Sequence, residues 1–300
     1  MHTYDIVILT ESRYLHPKQE TEYVQNILLE DGLLQKAFED LGLKVLRVDW
    51  ADPDFDWEST KAAIFRTTWD YFDRFDEFKK WLDEVEQKTQ LINSISQIRW
   101  NMDKWYLKDL KEKGIRVVET KYIKRGTTSE LRSLIVECGW EEVILKPTIA
   151  GAARHTYRIN KDSSSEFEEI FRELIANEDM MIQPFQHNIM VKGEVSFMVI
   201  GGKYTHSLLK KGKQGDFRVQ DDFGGTLHPY EPTKEEIEFA EQVANACEPL
   251  PAYARVDLMW DNNNELAVSE VELIEPELWF RRNRESAQQL ASWVKEKHKM

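Results

Sequence analysis

The chain has 300 residues, of which 41% are hydrophobic and 31% charged, and 54 acidic against 40 basic residues give a formal net charge of -14 at pH 7. This composition predicts a folded protein of two or three domains, and the negative charge argues against a nucleic-acid partner, because phosphate backbones need clustered lysine and arginine. The apolar runs are only of strand length, which argues against a membrane partner, and two lone cysteines provide no disulfide framework. We therefore expect a cytoplasmic protein.

The first third alternates predicted strands and helices. Short apolar runs predict strands at 5–9, 44–50 and 62–69, and helical periodicity covers 21–41 and 75–87. The alternation predicts a small parallel sheet covered by helices.

The segment "RTTWDY", residues 66–71, follows the third predicted strand. Ligands of parallel sheets bind beyond the carboxyl ends of the strands, so Arg66, Thr67, Trp69 and Asp70 are candidate substrate contacts. The alternative is that Arg66 and Asp70 form an ordinary surface ion pair and that Trp69 only packs.

From residue 96 onward the predicted elements no longer alternate regularly between strand and helix. One helix is predicted at 96–115, and a mixture of strands and helices follows it to residue 185. From Gly193 onward two β-hairpins are predicted, with turns at Gly201–Gly202 and at 261–264, together with helices at 234–247 and 285–298. The prediction is a chain of α/β and α+β class with domains at 1–95, 96–190 and 191–300.

The segment "VILKPTIAGAARH", residues 143–155, combines a strand-end lysine with a loop of small residues. Lys146 precedes Gly151 and the alanines at 150, 152 and 153, so backbone N–H groups could approach a phosphate and the ammonium could add a charge. The alternative is a hairpin turn beside a solvated lysine.

Three carboxylates are expected to meet on the second hairpin. Glu270 and Glu272 alternate on one face of its second arm, and Asp257 lies on the first arm. Clustered carboxylates repel unless a cation neutralises them, and hard oxygen ligands suit Mg²⁺. The alternative is a solvated strand face. Nearby countercharge could come from Lys210, Arg218 and Arg255.

The order of these motifs resembles that of the ATP-grasp enzymes. "NMDKWYL", "ILKP", "MIQPF", "GDFRVQ", "RVDLM" and "EVELIEP" follow one another as in the glutathione-synthetase-like branch, from about residue 90 to about residue 280. The first third is similar to the substrate domain that precedes the ATP-grasp fold in such enzymes. With "RTTWDYF" and "ELIEPEL" included, the chain most resembles the group that contains the cycloserine-forming O-ureido-serine cyclo-ligase.

The resemblance implies a role for each motif. The implied ATP contacts are Lys104, Lys146, Gly151, Gln183, Pro184, Phe185 and Glu194. The implied Mg²⁺ ligands, with Mn²⁺ as an option, are Asp257, Glu270 and Glu272. The implied substrate contacts are Arg66, Thr67, Trp69, Asp70 and Glu275. Arg218 and Lys146 would be the catalytic residues, facing the transferred phosphate. Glu272 departs from the glutathione-synthetase pattern, which has asparagine there, and the loop after Lys146 holds one glycine.

The implied reaction is ATP-dependent ligation of a carboxylate to an amine through an acyl-phosphate. The expected partners are a small amino-acid-like carboxylate and an amine, and the resemblance also allows a homodimer. Two alternatives remain open: a ligase that modifies a peptide or protein, and a nucleotide-binding protein without catalysis. The joint presence of Lys104, Lys146, Arg218 and the three carboxylates argues against the second alternative.

Overall fold

The structure is a computed structural model that describes residues 2–151, 153–219 and 223–300. Ala152 of the predicted phosphate loop and Gln220 of the "GDFRVQ" motif lie outside the described residues. Within the described part, the strands form three sheets. The mixed α/β class predicted from the sequence is confirmed.

The first sheet is parallel, as the alternation of the first third predicts. Its strands are β1 (Tyr4–Thr10), β2 (Val45–Asp49), β3 (Thr60–Thr67) and β4 (Gln90–Ile92), in the order β2-β1-β3-β4. The helices of this region are α1 (Ser12–Leu15), α2 (Glu22–Asp40) and α3 (Phe75–Val85). Because β3 is an inner strand, its carboxyl end at Arg66 and Thr67 is enclosed by neighbouring elements.

The second sheet is antiparallel. Its strands are β5 (Lys121–Ile123), β6 (Glu142–Pro147), β7 (Tyr157–Asn160) and β8 (Met180–Pro184), in the order β5-β8-β6-β7. The helices before and beside it are α4 (Ile95–Asn101), α5 (Tyr106–Glu112), α6 (Leu131–Cys138) and α7 (Glu168–Asn177). Lys146 stands near the end of β6, as expected.

The single helix predicted at 96–115 is wrong, because α4 and α5 are separated by a turn at 102–105. Two hydrogen bonds that do not belong to a helix hold the backbone in this turn. Asp103 Oδ1 accepts a hydrogen bond from Trp105 N at 3.2 Å, and Lys104 N donates to Thr148 O at 2.9 Å. A short polar side chain that bonds to its own backbone competes with helix hydrogen bonds. Lys104 therefore lies in a turn tied to the loop after Lys146.

The third sheet is also antiparallel and contains both predicted hairpins. Its strands are β9 (Glu194–Ile200), β10 (Lys203–Lys211), β11 (Thr226–Pro229), β12 (Tyr253–Trp260) and β13 (Leu266–Glu272), in the order β11-β10-β9-β12-β13. The remaining helices are α8 (Ile189–Lys192), α9 (Lys234–Ala246) and α10 (Arg284–His298). Gly201 and Gly202 have φ angles of 56° and 80°, which a tight two-residue hairpin turn requires.

One hydrophobic core joins the two ends of the chain. Ile6 and Ile64 of the parallel sheet share this core with Tyr253 and Phe280, and α10 packs against α2. The carboxyl end of β3 therefore faces the start of β12. The predicted domain boundaries stay a prediction.

Among the described residues, no helix combines the length and the apolar character that crossing a membrane would need.

Candidate active site

A cleft of about 210 Å³ contains every residue predicted to contact ATP, metal or the transferred phosphate. Elements of the second and third sheets supply most of its walls. The predicted residues that line it are Lys104, Lys146, Gly151, Gln183, Pro184, Phe185, Glu194, Arg218, Asp257, Glu270 and Glu272.

Lys146 contributes an ammonium group to this cleft. Among the described residues, no hydrogen bond and no ion pair within 4.0 Å involves Lys146 Nζ. Burial lowers the pKa of Lys146, the charge of Lys104 lowers it further, and the carboxylates of Glu270 and Glu194 oppose both effects. A buried ammonium is stabilised by an anion, so this position suits a phosphate group.

Lys104 connects the loop after Lys146 to the carboxylates. Its Nζ lies 3.0 Å from Glu270 Oε1 and donates to Ala150 O at 2.6 Å. A Cβ atom at Gly151 would lie 2.6 Å from Phe72 Cε1, so the loop passes this ring at a distance that only glycine allows. The phosphate loop is thus packed against the "RTTWDYF" segment.

The predicted juxtaposition of carboxylates is confirmed. Asp257 lies opposite Glu270 in the β12–β13 register, and Arg255 lies opposite Glu272. Asp257 accepts from Ser196 Oγ at 2.5 Å and from Lys210 Nζ at 3.0 Å, and Arg255 donates to both Asp257 and Glu272. Lys210 and Arg255 therefore supply the countercharge expected of them.

The shared face shifts the pKa values of these acids in opposite directions. Burial raises the pKa of Glu272 to about 7, and the charges of Glu270 and Asp257 add to this effect against the opposing charge of Arg255. Burial would also raise the pKa of Asp257, but Arg255 and Lys210 outweigh it and lower the pKa. Within the described residues, no three His, Cys, Asp or Glu side chains form a ready-made metal-binding group.

Arg218 does not supply countercharge to the three carboxylates, contrary to expectation. Its guanidinium forms hydrogen bonds of 2.7 to 3.2 Å with the Asp216 carboxylate and lies 3.8 Å from the centre of the Phe223 ring. Asp216 is two residues away in the chain, so this pair is local. Arg218 still lines the cleft.

The residues predicted to border adenine, Gln183, Pro184 and Phe185, lie at the carboxyl end of β8. Phe185 N donates to Glu142 O at 2.8 Å, and Phe185 O accepts from Asn262 Nδ2 at 2.9 Å, so both backbone groups of this residue are already used. Gln183 Nε2 donates to Thr120 Oγ1 at 2.9 Å. An adenine edge would therefore have to be read by neighbouring groups.

Glu194 is held by side chains of β10 and β13. Its carboxylate lies 2.6 Å from Lys210 Nζ and accepts from Ser269 Oγ at 2.6 Å. Lys210, Ser196 and Ser269 complete the polar network of the cleft. The sequence analysis expected Lys210 only as countercharge, and it did not assign Ser196 or Ser269 to the site. Strand alternation with the correct register could have placed Ser196 and Lys210, because they lie opposite Asp257 and Glu194. Ser269 is the neighbour of Glu270, and it reaches Glu194 where the β12–β13 register shifts, which alternation does not predict.

The predicted substrate residues lie outside the lining of this cleft. Arg66 is 1% exposed, and its guanidinium lies 5.3 Å from the Phe280 ring and 5.9 Å from the Tyr253 ring. Asp70 instead accepts from Trp50 Nε1 at 2.7 Å and Arg74 Nη1 at 2.8 Å. The alternative of a surface ion pair between Arg66 and Asp70 is therefore wrong.

The other predicted substrate residues connect the first third to the end of β13. Trp69 Nε1 donates to Glu275 O at 2.9 Å, which joins the two segments. Thr67 Oγ1 contacts Thr10 Oγ1 at 2.5 Å and donates to Asp31 Oδ2 at 3.1 Å. Burial and the charge of Glu272 raise the pKa of the Glu275 carboxyl to about 8.

Known proteins of similar sequence and fold place the chain in a family. Residues 94–261 match the ATP-grasp domain of prokaryotic glutathione synthetase, and residues 6–93 match the N-terminal domain of the D-cycloserine synthetase DcsG. The cycloserine biosynthesis protein DcsG of Streptomyces lavendulae is 27% identical over 263 residues, covering 82% of this chain and 86% of that protein.

Two solved structures have a similar fold. The crystal structure of D-cycloserine synthetase DcsG superposes with a TM-score of 0.85 at 24% identity, covering 98% of this chain and 99% of the other. A RimK-domain ATP-grasp protein of Sphaerobacter thermophilus gives a TM-score of 0.70 at 16% identity, over 96% and 98% of the two chains. The chain belongs to the ATP-grasp ligases with an ATP-grasp domain of the prokaryotic glutathione synthetase type, and it is an ATP-dependent carboxylate–amine ligase.

Proposed function

We propose that this enzyme phosphorylates the carboxylate of a small amino-acid-like substrate with ATP and couples the resulting acyl-phosphate to an amine. The observation that carries the proposal is the position of Lys146. Its ammonium has no partner among the described residues and shares one cleft with Lys104, Arg218 and three carboxylates. This arrangement offers positive charge to phosphates and oxygen ligands to a metal ion.

The chemistry needs an activated carboxylate because an amine cannot expel oxide from a free one. Attack of a substrate carboxylate oxygen on the γ-phosphorus of ATP forms the acyl-phosphate and releases ADP. Attack of the amine nitrogen on the acyl carbon then forms the C–N bond, expels inorganic phosphate and releases a proton. Lys146 and Lys104 are placed to stabilise the phosphate charge, and Arg218 would do so after leaving Asp216.

The donor chemistry of the carboxylates fits Mg²⁺, with Mn²⁺ as a substitute. Glu272 is buried beside Glu270 and Asp257, which raises the pKa of its carboxyl although Arg255 opposes this effect. Hard carboxylate oxygens are the ligands that Mg²⁺ prefers beside nucleotide phosphates. Asp257, Glu270 and Glu272 would hold the ion, which would offset charge on the β- and γ-phosphates.

A small substrate is favoured over a peptide by the burial of the predicted substrate residues. Arg66 and Thr67 are at most 3% exposed, whereas a peptide acceptor would call for an open groove. The acceptor amine belongs either to the same molecule, giving a cyclic product, or to a second small molecule. We place the enzyme in the cytoplasm, as a monomer or a homodimer.

The test is ADP release with Mg²⁺ and ATP against amino acids and small carboxylates, singly and in pairs. Hydroxylamine should intercept the acyl-phosphate as a hydroxamate when the amine is withheld. Stimulation by one compound alone would indicate cyclisation, and a requirement for two would indicate intermolecular ligation. ADP release without any hydroxamate or ligated product would contradict the proposed intermediate.

A further inference from the structure

Two facing segments carry buried hydrogen-bond donors that lack acceptors. Nε and Nη1 of Arg66, Oγ1 of Thr68 and Nε1 of Trp279 have no hydrogen-bond partner among residues 2–151, 153–219 and 223–300. The three side chains are 1%, 0% and 3% exposed. The segments are held together by the hydrogen bond of Trp69 Nε1 to Glu275 O and by the packing of Arg66 on Phe280.

If Arg66 had only a structural role, its Nε and Nη1 donors would be buried without hydrogen-bond partners among the described residues. A guanidinium is always charged, and burying a charge without hydrogen bonds is costly. Asp31 interacts with its charge. The Asp31 Oδ2 atom accepts from Arg47 Nε at 2.8 Å and from Thr67 Oγ1 at 3.1 Å, whereas Asp31 Oδ1 is a buried acceptor that has no hydrogen-bond partner among the described residues. No ion pair within 4.0 Å joins Asp31 to Arg66 in the described part of the chain. The two aromatic rings offset only part of the cost.

Backbone strain at Trp279 is an independent indication of function. Its φ angle is 47°, in the left-handed region that bulky residues rarely adopt. Such conformations persist where surrounding contacts impose them, and they concentrate at ligand-binding sites. The Trp279 ring lies 5.4 Å from the Arg255 guanidinium, which lines the ATP cleft.

The donor cluster is also close to the reacting groups. Tyr253, beside Arg66, and Arg255, beside Glu272, are two residues apart on β12 and therefore about 7 Å apart on one strand face. A short-chain molecule can span this distance. Its other end would then reach the cleft where ATP phosphates are proposed to bind.

We propose that Arg66, together with Thr68 and Trp279, binds the non-reacting carboxylate of a short-chain substrate whose other end is activated in the ATP cleft. This inference rests on the proposed function and narrows its substrate class to acids or amino acids with a second, unmodified carboxylate. A carboxylate carries only acceptors when ionised, and its two oxygens match the fork of a guanidinium.

The test uses the full-length protein with a non-hydrolysable ATP analogue, Mg²⁺ and simple carboxylates as probes. Malonate, succinate, glutarate and acetate are titrated while the thermal unfolding midpoint is measured. We expect saturable stabilisation by at least one dicarboxylate. Arg66→Met should weaken that binding about 10- to 100-fold while leaving affinity for the ATP analogue within about twofold of wild type. Trp279→Phe keeps an aromatic ring but removes the N–H donor, and it should weaken dicarboxylate binding less than Arg66→Met does.

The unfolding temperatures of the variants without ligand distinguish a role of Arg66 in carboxylate binding from a role in stabilising the fold. Because Arg66 is buried and unsatisfied, Arg66→Met should unfold at the same or a higher temperature than wild type without ligand. The control is Arg282→Met, at an exposed arginine that follows the same segment, and it should leave the response to carboxylates unchanged. A lower midpoint for free Arg66→Met with an intact carboxylate response would overturn the proposal, as would a wild type that responds to no carboxylate.

Failure of this inference and failure of the proposed function give different results. Dicarboxylate binding that depends on Arg66, with no ADP released from any compound in the panel, would refute the ligase reaction as proposed and support the site. If Arg66→Met releases ADP with an unchanged KM for the substrate, the proposed carboxylate site is refuted and the proposed ligase reaction still stands.

Discussion

Lys104 and Glu270 form an ion pair of 3.0 Å between the turn that separates α4 from α5 and the strand β13. The same ammonium holds Ala150 O, so one lysine links the phosphate loop to a candidate metal ligand. Lys104 and Glu270 are therefore positioned as one unit.

Replacing Glu270 should separate turnover from nucleotide binding. Glu270→Gln keeps the shape but removes the charge needed for metal binding, so we expect turnover to fall at least about 100-fold while the Kd for ATP changes less than about tenfold. Steady-state ADP release and equilibrium binding measure the two effects. Glu265→Gln, at an exposed carboxylate of the same hairpin, is the matched control. Equal losses in both quantities would remove Glu270 from the metal site.

Lys146 should matter for ATP affinity. Lys146→Met removes the ammonium and retains most of the apolar stem, so we expect the Kd for ATP to rise about 10- to 100-fold, the range for one charge-assisted hydrogen bond. Isothermal titration calorimetry with a non-hydrolysable analogue measures it. Lys108→Met changes an exposed lysine of α5 and should have no effect. An unchanged Kd in Lys146→Met would show that the phosphates bind elsewhere.

The close approach of Gly151 to Phe72 predicts a coupled pair. Gly151→Ala places a methyl group 2.6 Å from the ring, so the loop or the ring must shift, and we expect kcat/KM for ATP to fall by an amount worth about 1 to 3 kcal/mol. Phe72→Leu should partly rescue this loss, because a smaller side chain makes room. A double-mutant cycle on kcat/KM tests the coupling, and strictly additive losses would refute the contact.

Glu30 fixes the segment after β13 to α2. Its carboxylate accepts from Phe280 N at 2.6 Å, Arg281 N at 2.9 Å and Arg281 Nη1 at 2.9 Å. Glu30→Gln leaves the Arg281 charge without this partner, so we expect a loss of about 2 to 4 kcal/mol in the free energy of unfolding, measured by urea denaturation. Glu39→Gln, at an exposed position of the same helix, should lose less than about 0.5 kcal/mol.

His206 predicts an acid-dependent loss of stability. Burial lowers the pKa of its imidazole to about 4, partly offset by hydrogen bonds to backbone carbonyls of Leu278 and Trp279. The unfolded state therefore binds the proton more tightly, so this histidine has no destabilising effect above about pH 6.5 and costs up to about 3 kcal/mol as pH falls to 4. His206→Gln should remove that part of the slope of unfolding free energy against pH, whereas His228→Gln, at an exposed site, should not.

Several local features could be read from the sequence because they depend on short-range patterns. Alternation along β13 placed Glu270 and Glu272 on one face, and the Gly201–Gly202 pair identified a hairpin turn. The β–α alternation of the first third predicted its parallel sheet. The motif order pointed to the residues that line the cleft, since lysine, small-residue loop and acidic strand each have a recognisable local composition.

The tertiary structure decided what local patterns do not encode. The break between α4 and α5 depends on Thr148, more than forty residues away, and the pairing of Arg218 with Asp216 outcompetes more distant acids. Arg66 could be read from the sequence as an exposed ion-pair partner, yet β3 is an inner strand whose end is covered by Tyr253 and Phe280. Periodicity tells which residues share a face of an element. Only the packing of elements far apart in the chain determines which faces meet, and therefore which charges are buried without partners.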